Sequence, residues 1–168
     1  PFLPEKTNEA LLEQAKRYFT HFAPATIKDT AYYFGWTQIQ AKKIMVHLPL
    51  ENIEIDGKKY FYLNELKSNY PDIPHCILLA GFDQLMLGYQ KKESIYLATE
   101  HLRGIFNLAG IVMPSIMIDG NIVGRWRKNK NKVIFEMFEI VSAIDKKEIV
   151  NTMEEMIDDI RRVDWVEL

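Results

Sequence analysis

Asp56-Gly57 constrains this chain more than any other pair of residues. It stands between two β-rich runs, Glu51-Asn-Ile-Glu-Ile55 and Lys58-Lys-Tyr-Phe-Tyr-Leu63. A two-residue type I′ turn needs positive φ at both central positions, and Asp-Gly supplies it. In the hairpin this predicts, Glu54 faces Lys59 and Ile53 faces Tyr60. The residues before it read as two short helices at a sharp corner. Thr26 is placed as an N-cap, with Asp29 three residues on. Ile27, Ala31 and Phe34 form an apolar stripe, and Gly35 is a stop. A second helix fits Gln38 to Leu48, with Ala41, Ile44, Met45 and Leu48 facing inward, and Pro49 ends it.

Helix, tight turn, helix and hairpin spell a winged helix-turn-helix, whose second helix commonly lies in the DNA major groove. Gln40, Lys43 and His47 occupy the outward face of that helix, and Lys58 and Lys59 the wing. The alternative is a plain solvated face, since winged helices also serve protein contact. An earlier helix is expected from Thr7 or Asn8 to about His21, with Leu11, Leu12, Ala15, Tyr18, Phe19 and Phe22 as its stripe. Lys67 to Pro74 reads as a linker. The expected domains are 1–66, helix plus winged helix-turn-helix, and 75–168, a small α/β domain.

In the second domain, Cys76-Ile-Leu-Leu79 is a short buried strand and Gln84 to Gly88 a brief helix capped by Asp83. Thr99 to Phe106 is a further helix with Thr99 as its cap. Asp119-Gly120 repeats the hairpin chemistry between Ile116-Met-Ile118 and Asn121-Ile-Val-Gly124. Asn129-Lys130-Asn131 is a second turn, and Val133 to Phe138 the next strand. The expected class is α+β: an antiparallel meander closed by a C-terminal helix. Asp145 and Glu148 are its N-terminal box, with Ile149, Met153, Met156, Ile157 and Ile160 as its stripe.

Charge is unevenly placed. The net charge of −2 does not mark a nucleic-acid binder. Yet Asn121 to Lys132 holds five basic residues and no acidic one, whereas Glu136 to Leu168 holds ten acidic and four basic residues. Arg125, Arg127, Lys128 and Lys130 are therefore candidates for phosphate contact, beside Trp126. The acidic helix would face away from DNA. The four histidines are scattered without metal-ligand spacing, and neither a metal nor another cofactor is expected. No phosphate loop, nucleophile elbow or dinucleotide fingerprint is present. A single cysteine, Cys76, suits a reducing compartment. No apolar run approaches the ~18 residues of a membrane span, so a cytoplasmic, nucleoid-bound protein is expected.

The second domain also carries a family resemblance. Leu79-Ala-Gly-Phe-Asp-Gln-Leu-Met-Leu-Gly-Tyr89, Gly110-Ile-Val-Met-Pro114 and Ile118-Asp-Gly-Asn-Ile-Val-Gly-Arg-Trp-Arg127 resemble the signatures of tandem winged-helix proteins that include the AlkZ/YcaQ-like DNA glycosylases. The resemblance implies the second winged helix plus the C-terminal domain of such a protein. It also implies release of alkylated or crosslinked bases by the full-length parent. The family's catalytic Gln-hydrophobic-Gln pair would lie in a preceding N-terminal domain, a partner in its own chain. The opening Pro1-Phe2-Leu3-Pro4, without methionine, is consistent with a fragment. Gln38-Ile39-Gln40 matches that pair by letter, but it stands at the start of a different recognition helix. Two departures remove arginines: Gln90-Lys91-Lys92 stands where Asp-Arg is usual, and Val112-Met113 where Phe-Arg is frequent. The function expected is thus a DNA-binding, non-catalytic part of a glycosylase-like protein. The alternative is an interaction or regulatory module without enzymatic activity.

Overall fold

A computed structural model describes residues 4–64 and 72–167. Most of the expected linker, residues 67–71, lies outside them, and 72–74 carry no regular structure. The chain divides into two compact units. The first contains the described residues through 64 together with Leu87–Gln90; the second contains 72–86 and everything from Lys91 onward.

In the first unit, α1 spans Pro4–Phe22, α2 Ile27–Phe34 and α3 Gln38–Met45. Helix α1 begins earlier than Thr7 or Asn8, which lie inside it. Pro4 explains this, because a proline in the first turn gives up no hydrogen bond that the helix would otherwise make. Ala15, Tyr18 and Phe19 are buried along α1, as its periodicity predicts. Thr26 caps α2 in a full reciprocal box with Asp29, and Gly35 closes it at φ 64°. Thr37 caps α3 in a second box with Gln40. Ala41 and Met45 face inward, and Val46, His47 and Leu48 form a turn beyond the helix end.

Strands β1 (Leu50–Ile55) and β2 (Lys58–Leu63) pair in the expected register, Glu54 opposite Lys59 and Ile53 opposite Tyr60. Asp56 and Gly57 turn between them at φ 50° and 71°. Reciprocal backbone bonds between Ala25 and Phe61, 2.8 and 3.0 Å, tie the hairpin to the start of α2. The returning segment Leu87–Gln90 is bound just as closely. The Tyr18 hydroxyl donates to the Gly88 carbonyl (2.9 Å), and the Tyr89 hydroxyl donates to the Phe22 carbonyl (2.8 Å). A Cβ on Gly88 would run into the Phe22 ring, so the close approach requires glycine there.

The second unit is a five-stranded sheet in the order β3 (Cys76–Leu79), β4 (Ser115–Ile118), β5 (Asn121–Asn129), β6 (Lys132–Met137) and β7 (Arg162–Glu167). Asp119-Gly120 forms the β4–β5 turn at φ 46° and 79°. One face packs on α6 (Ala143–Met156): Cys76, Leu78, Ile116, Val133, Phe135 and Met137 meet Ile149 and Met153. Each large side chain buried there contributes roughly 1.5–3 kcal/mol. Shorter elements, α4 (Gln84–Leu87) and α5 (Leu102–Ile105), lie between β3 and β4 in sequence. Asp83 accepts from the Leu85 amide at 2.9 Å and so begins α4 as expected.

Three expectations are corrected in this unit. Thr99 is not a helix cap: Thr99–His101 is a 3-10 turn leading into the four-residue α5, and the Thr99 hydroxyl donates to the Lys92 carbonyl. The box of the last helix is Ser142 with Asp145, not Asp145 with Glu148. Finally, the meander does not close on a helix. Helix α6 stops at Met156, an exposed residue, and Ile160 lies beyond it. The chain then runs into β7, which pairs parallel to β6 and places Val163 and Trp165 against the core. Alternation of apolar Val163 and Trp165 with polar Arg162 and Asp164 is the period-two signal of a strand.

Candidate nucleic-acid interface

The proposed contact residues fall on both units, and each set is taken on its own unit. On the first, Gln40, Lys43 and His47 are all exposed. Gln40 serves the α3 cap: its Oε1 accepts from the Thr37 amide and hydroxyl, both at 2.9 Å. That fixes the side chain and leaves its Nε2 end to donate outward. His47 sits on the turn after α3 rather than on the helix. Between these polar groups, Ile39 and Val46 are 69% and 73% exposed, so the outward surface mixes basic and apolar character. Lys58 and Lys59 are exposed on β2. The hairpin also bears Glu51, Glu54 and Asp56, so it is not basic as a whole.

On the second unit, β5 and β6 display Arg125, Arg127, Lys128 and Lys130. The two arginines share one carboxylate. Arg125 donates through Nε to Glu136 at 2.7 Å and through Nη1 to the Gly104 carbonyl at 3.0 Å. Arg127 Nε lies 3.0 Å from the other Glu136 oxygen. Arg125 is half-buried and serves mainly to join β5, β6 and α5; Arg127, Lys128 and Lys130 are exposed. Trp126 points to the opposite, core face, where its indole N–H donates to the Leu79 carbonyl at 3.0 Å. It braces the basic strand and is not displayed with the arginines.

The sequence reading missed the cations of β7. Lys132 pairs across from Arg162, and Asp164 bridges both. Lys132, then Arg162, hold the Asp164 carboxyl below the ordinary carboxylate range. The signal was the alternation of β7 itself, hidden by the surrounding acidic residues.

A further charged cluster joins three segments of this unit. His75 contacts Asp145 through Nε2 and Asp119 through Nδ1, each at 2.8 Å. The Asp145 bond, then the Asp119 bond, raise the His75 pKa, while the Ser142 cap and His75 lower that of Asp145. With His75 protonated, this is an ion-pair clamp between the residue preceding β3, the β4–β5 turn and the start of α6. Burial pushes the Cys76 thiol upward, which keeps it protonated and chemically quiet. Among the described residues, no group of three histidine, cysteine or acidic side chains is placed to hold a metal. No described helix is long and apolar enough to cross a membrane.

A family model described as DNA glycosylase AlkZ-like matches residues 1–156. This chain belongs to the AlkZ-like DNA glycosylase family. An interstrand DNA cross-link repair glycosylase of Streptomyces sahachiroi is 26% identical to this AlkZ-like chain over 155 residues, which cover 88% of the chain and 42% of that protein. The solved structure of Streptomyces sahachiroi DNA glycosylase AlkZ matches with a TM-score of 0.80 and 24% identity, over 96% of this chain and 46% of that one. That likeness is one of fold. The AlkZ-like chain thus spans less than half the length of either relative.

Proposed function

We propose that this AlkZ-like chain is a DNA-binding, winged-helix part of a glycosylase that releases alkylated or crosslinked bases, and that it grips the duplex without performing the chemistry. The observation that carries this reading is the exposed Arg127, Lys128 and Lys130 set on the β5–β6 hairpin. Three cations on one rigid two-stranded element suit the spaced negative charges of a phosphate backbone. Gln40 and Lys43 on α3, with His47 on the turn after it, form a second polar set suited to base edges or phosphates. No catalytic role is assigned to Gln38 or Gln40. The Gln40 carbonyl oxygen is occupied by the helix cap, which leaves it a poor proton acceptor. Base excision would need an extruded nucleotide and reacting groups supplied by another part of a longer protein.

The test is fluorescence anisotropy of this chain with a short duplex at ~50 and ~200 mM salt. Each phosphate contact contributes about 0.9 to the slope of log affinity against log salt. Replacing Arg127, Lys128 and Lys130 together by alanine should lower the slope by about 2.7, which removes a roughly 40-fold share of the loss over that salt range. Arg125 is left intact, because its removal would strip Glu136 and Gly104 of a structural partner. No binding at ~50 mM salt would overturn the proposal. A second reading, a protein-interaction module without enzymatic activity, is favoured by exposed Ile39 and Val46 on α3. It expects Ile39→Ser and Val46→Ser to abolish association with a partner domain while leaving the anisotropy unchanged.

A further inference from the structure

The parallel strand β7 changes the charge map of the second unit. The C-terminal stretch is acidic in sum, yet its two arginines do not stay among the acids. The amides of Arg161 and Arg162 donate to the Asn131 carbonyl at 2.8 and 3.3 Å, which pins the start of β7 to the β5–β6 turn. Arg161 is thereby set next to the turn that carries Lys130. Arg162 stands directly across from Lys132, which itself stands across from Asn129.

Register and alternation then assign faces. Val133, Phe135, Val163 and Trp165 pack with α6 on the core side. Side chains alternate along a strand, so Lys132, Ile134, Glu136, Arg162 and Asp164 share the other face with Arg125 and Arg127. Glu136 and Asp164 are its two carboxylates, and each is held between two cations. Lys130 and Arg161 flank it at the turn, and Lys128, opposite Val133, projects from the other side of the same strand end; all three are exposed. Asp158 and Asp159 precede Arg161 on the connection from α6. Seven cations therefore stand against four carboxylates at this end of the sheet. Arg162 is the most open member of its pair network, with a side-chain exposure of 69%.

We propose that Arg161 and Arg162 are phosphate-binding residues that extend the duplex-contacting surface from the β5–β6 hairpin onto β7. The proposal rests on the DNA-binding reading above and adds Arg162 on a third strand, ~4.8 Å from the second, and Arg161 immediately before it. Asp164 orients the Arg162 guanidinium by accepting from Nε at 2.7 Å and from Nη2 at 3.4 Å, which leaves Nη1 to reach outward. The ligand is the phosphodiester backbone, so sequence selectivity is not expected from these two side chains.

Anisotropy with a short fluorescent duplex at ~50 and ~200 mM salt tests this on three proteins: wild type, Arg161→Ala/Arg162→Ala and the charge-keeping Arg161→Lys/Arg162→Lys. The alanine pair should bind more weakly, with a salt slope lower by about 1.8, and the lysine pair should recover most of that slope. Both substitutions are at exposed positions, and an unchanged melting temperature would verify the fold. If the alanine pair keeps the wild-type affinity and slope while the Arg127/Lys128/Lys130 variant loses both, β7 is not part of the surface and this inference fails alone. If wild type does not bind the duplex, the DNA-binding reading fails and this one with it. Equal capture of polyglutamate and duplex by wild type would assign the face to an acidic protein partner and overturn the proposal.

Discussion

Asp29 offers the sharpest test of how the first unit is held together. It is 4% exposed, and both of its carboxylate oxygens are in use. Oδ2 accepts from the Thr26 amide (2.8 Å) and hydroxyl (2.7 Å), and Oδ1 accepts from the Gln90 amide at 3.0 Å. One side chain thus closes the α2 cap and fastens the end of the Gly88-Tyr89-Gln90 run. Asp29→Ala leaves the Asp29 amide on the Thr26 hydroxyl, so half of the capping box survives. It loses the reciprocal half, worth about 1 kcal/mol, and orphans the Gln90 amide, which costs about 1–3 kcal/mol. The expected destabilisation is roughly 2–4 kcal/mol. With an m-value near 1 kcal/mol/M for a unit this small, the urea midpoint should fall by roughly 2–4 M. Asp29→Asn is the informative companion. Its amide has one acceptor oxygen and must turn its NH2 toward either Thr26 or Gln90, both of which donate. It should cost about 1–3 kcal/mol although its shape is the same. Urea unfolding followed by circular dichroism gives both values, and hydrogen exchange at Gln90 reports the orphaned amide directly. An asparagine variant as stable as wild type would refute the reasoning, as would an alanine variant within ~0.5 kcal/mol of it.

The His75 clamp predicts a pH dependence of defined sign. His75 has a raised pKa, so its contribution is complete below its ordinary value near 6.5 and is lost as pH rises through the higher folded value. Asp145 has a lowered pKa, so its contribution is complete above 3.8 and is lost as pH falls through the lower folded value. The clamp is therefore strongest between about 3.8 and 6.5. Melting temperatures of wild type should decline on the alkaline side of that window, and His75→Gln should remove that decline; an identical pH profile for the variant would exclude the clamp. At Gly124 an added Cβ would sit 2.8 Å from the Glu136 carbonyl oxygen on the neighbouring strand. Gly124→Ala should cost about 1–3 kcal/mol, read as a fall in melting temperature, because backbone must move to relieve the contact. It should also weaken duplex binding, since Glu136 orients Arg125 and Arg127.

What could be read from the sequence was local. Asp56-Gly57 and Asp119-Gly120 announce their turns because the φ requirement lies within the pair, and Thr26 with Asp29 announces a cap because the partners are three residues apart. Strand β7 was hidden because parallel pairing with β6 is made across the whole of α6 and leaves no turn signature. Dense acids at 154–159 read as the outer face of a longer helix, although Asp159 breaks to φ 60°. The tie between Arg125 and Glu136 was accessible in principle. A two-residue turn at Lys130-Asn131 puts Asn129 opposite Lys132, and counting back four residues on each strand pairs Arg125 with Glu136. The bond from Gln90 to Asp29 was not accessible, because 61 residues separate the partners and no periodicity connects them.

That bond changes what the Leu79–Tyr89 resemblance means physically. Gly88 is needed for the Phe22 ring, Tyr89 ties to the Phe22 carbonyl, and Gln90 ties to Asp29. Asp83 is used at the start of α4. Asp83, Tyr89 and Gln90 are thus each engaged in holding the fold. The role that these contacts give the signature is that of a scaffold. The parts of the chain that meet another molecule must be sought where side chains exceed what the fold uses. The cations at this end of the sheet satisfy that condition: of the seven, Arg125 and Lys132 are half-buried in pairs with Glu136 and Asp164, and Arg127, Lys128, Lys130, Arg161 and Arg162 are exposed. These five set a ceiling of about −4.5 on the salt slope that this end of the sheet can generate. A measured slope much steeper than that would require contacts from the first unit as well, and Lys43 with its neighbours on α3 would be the first residues to replace.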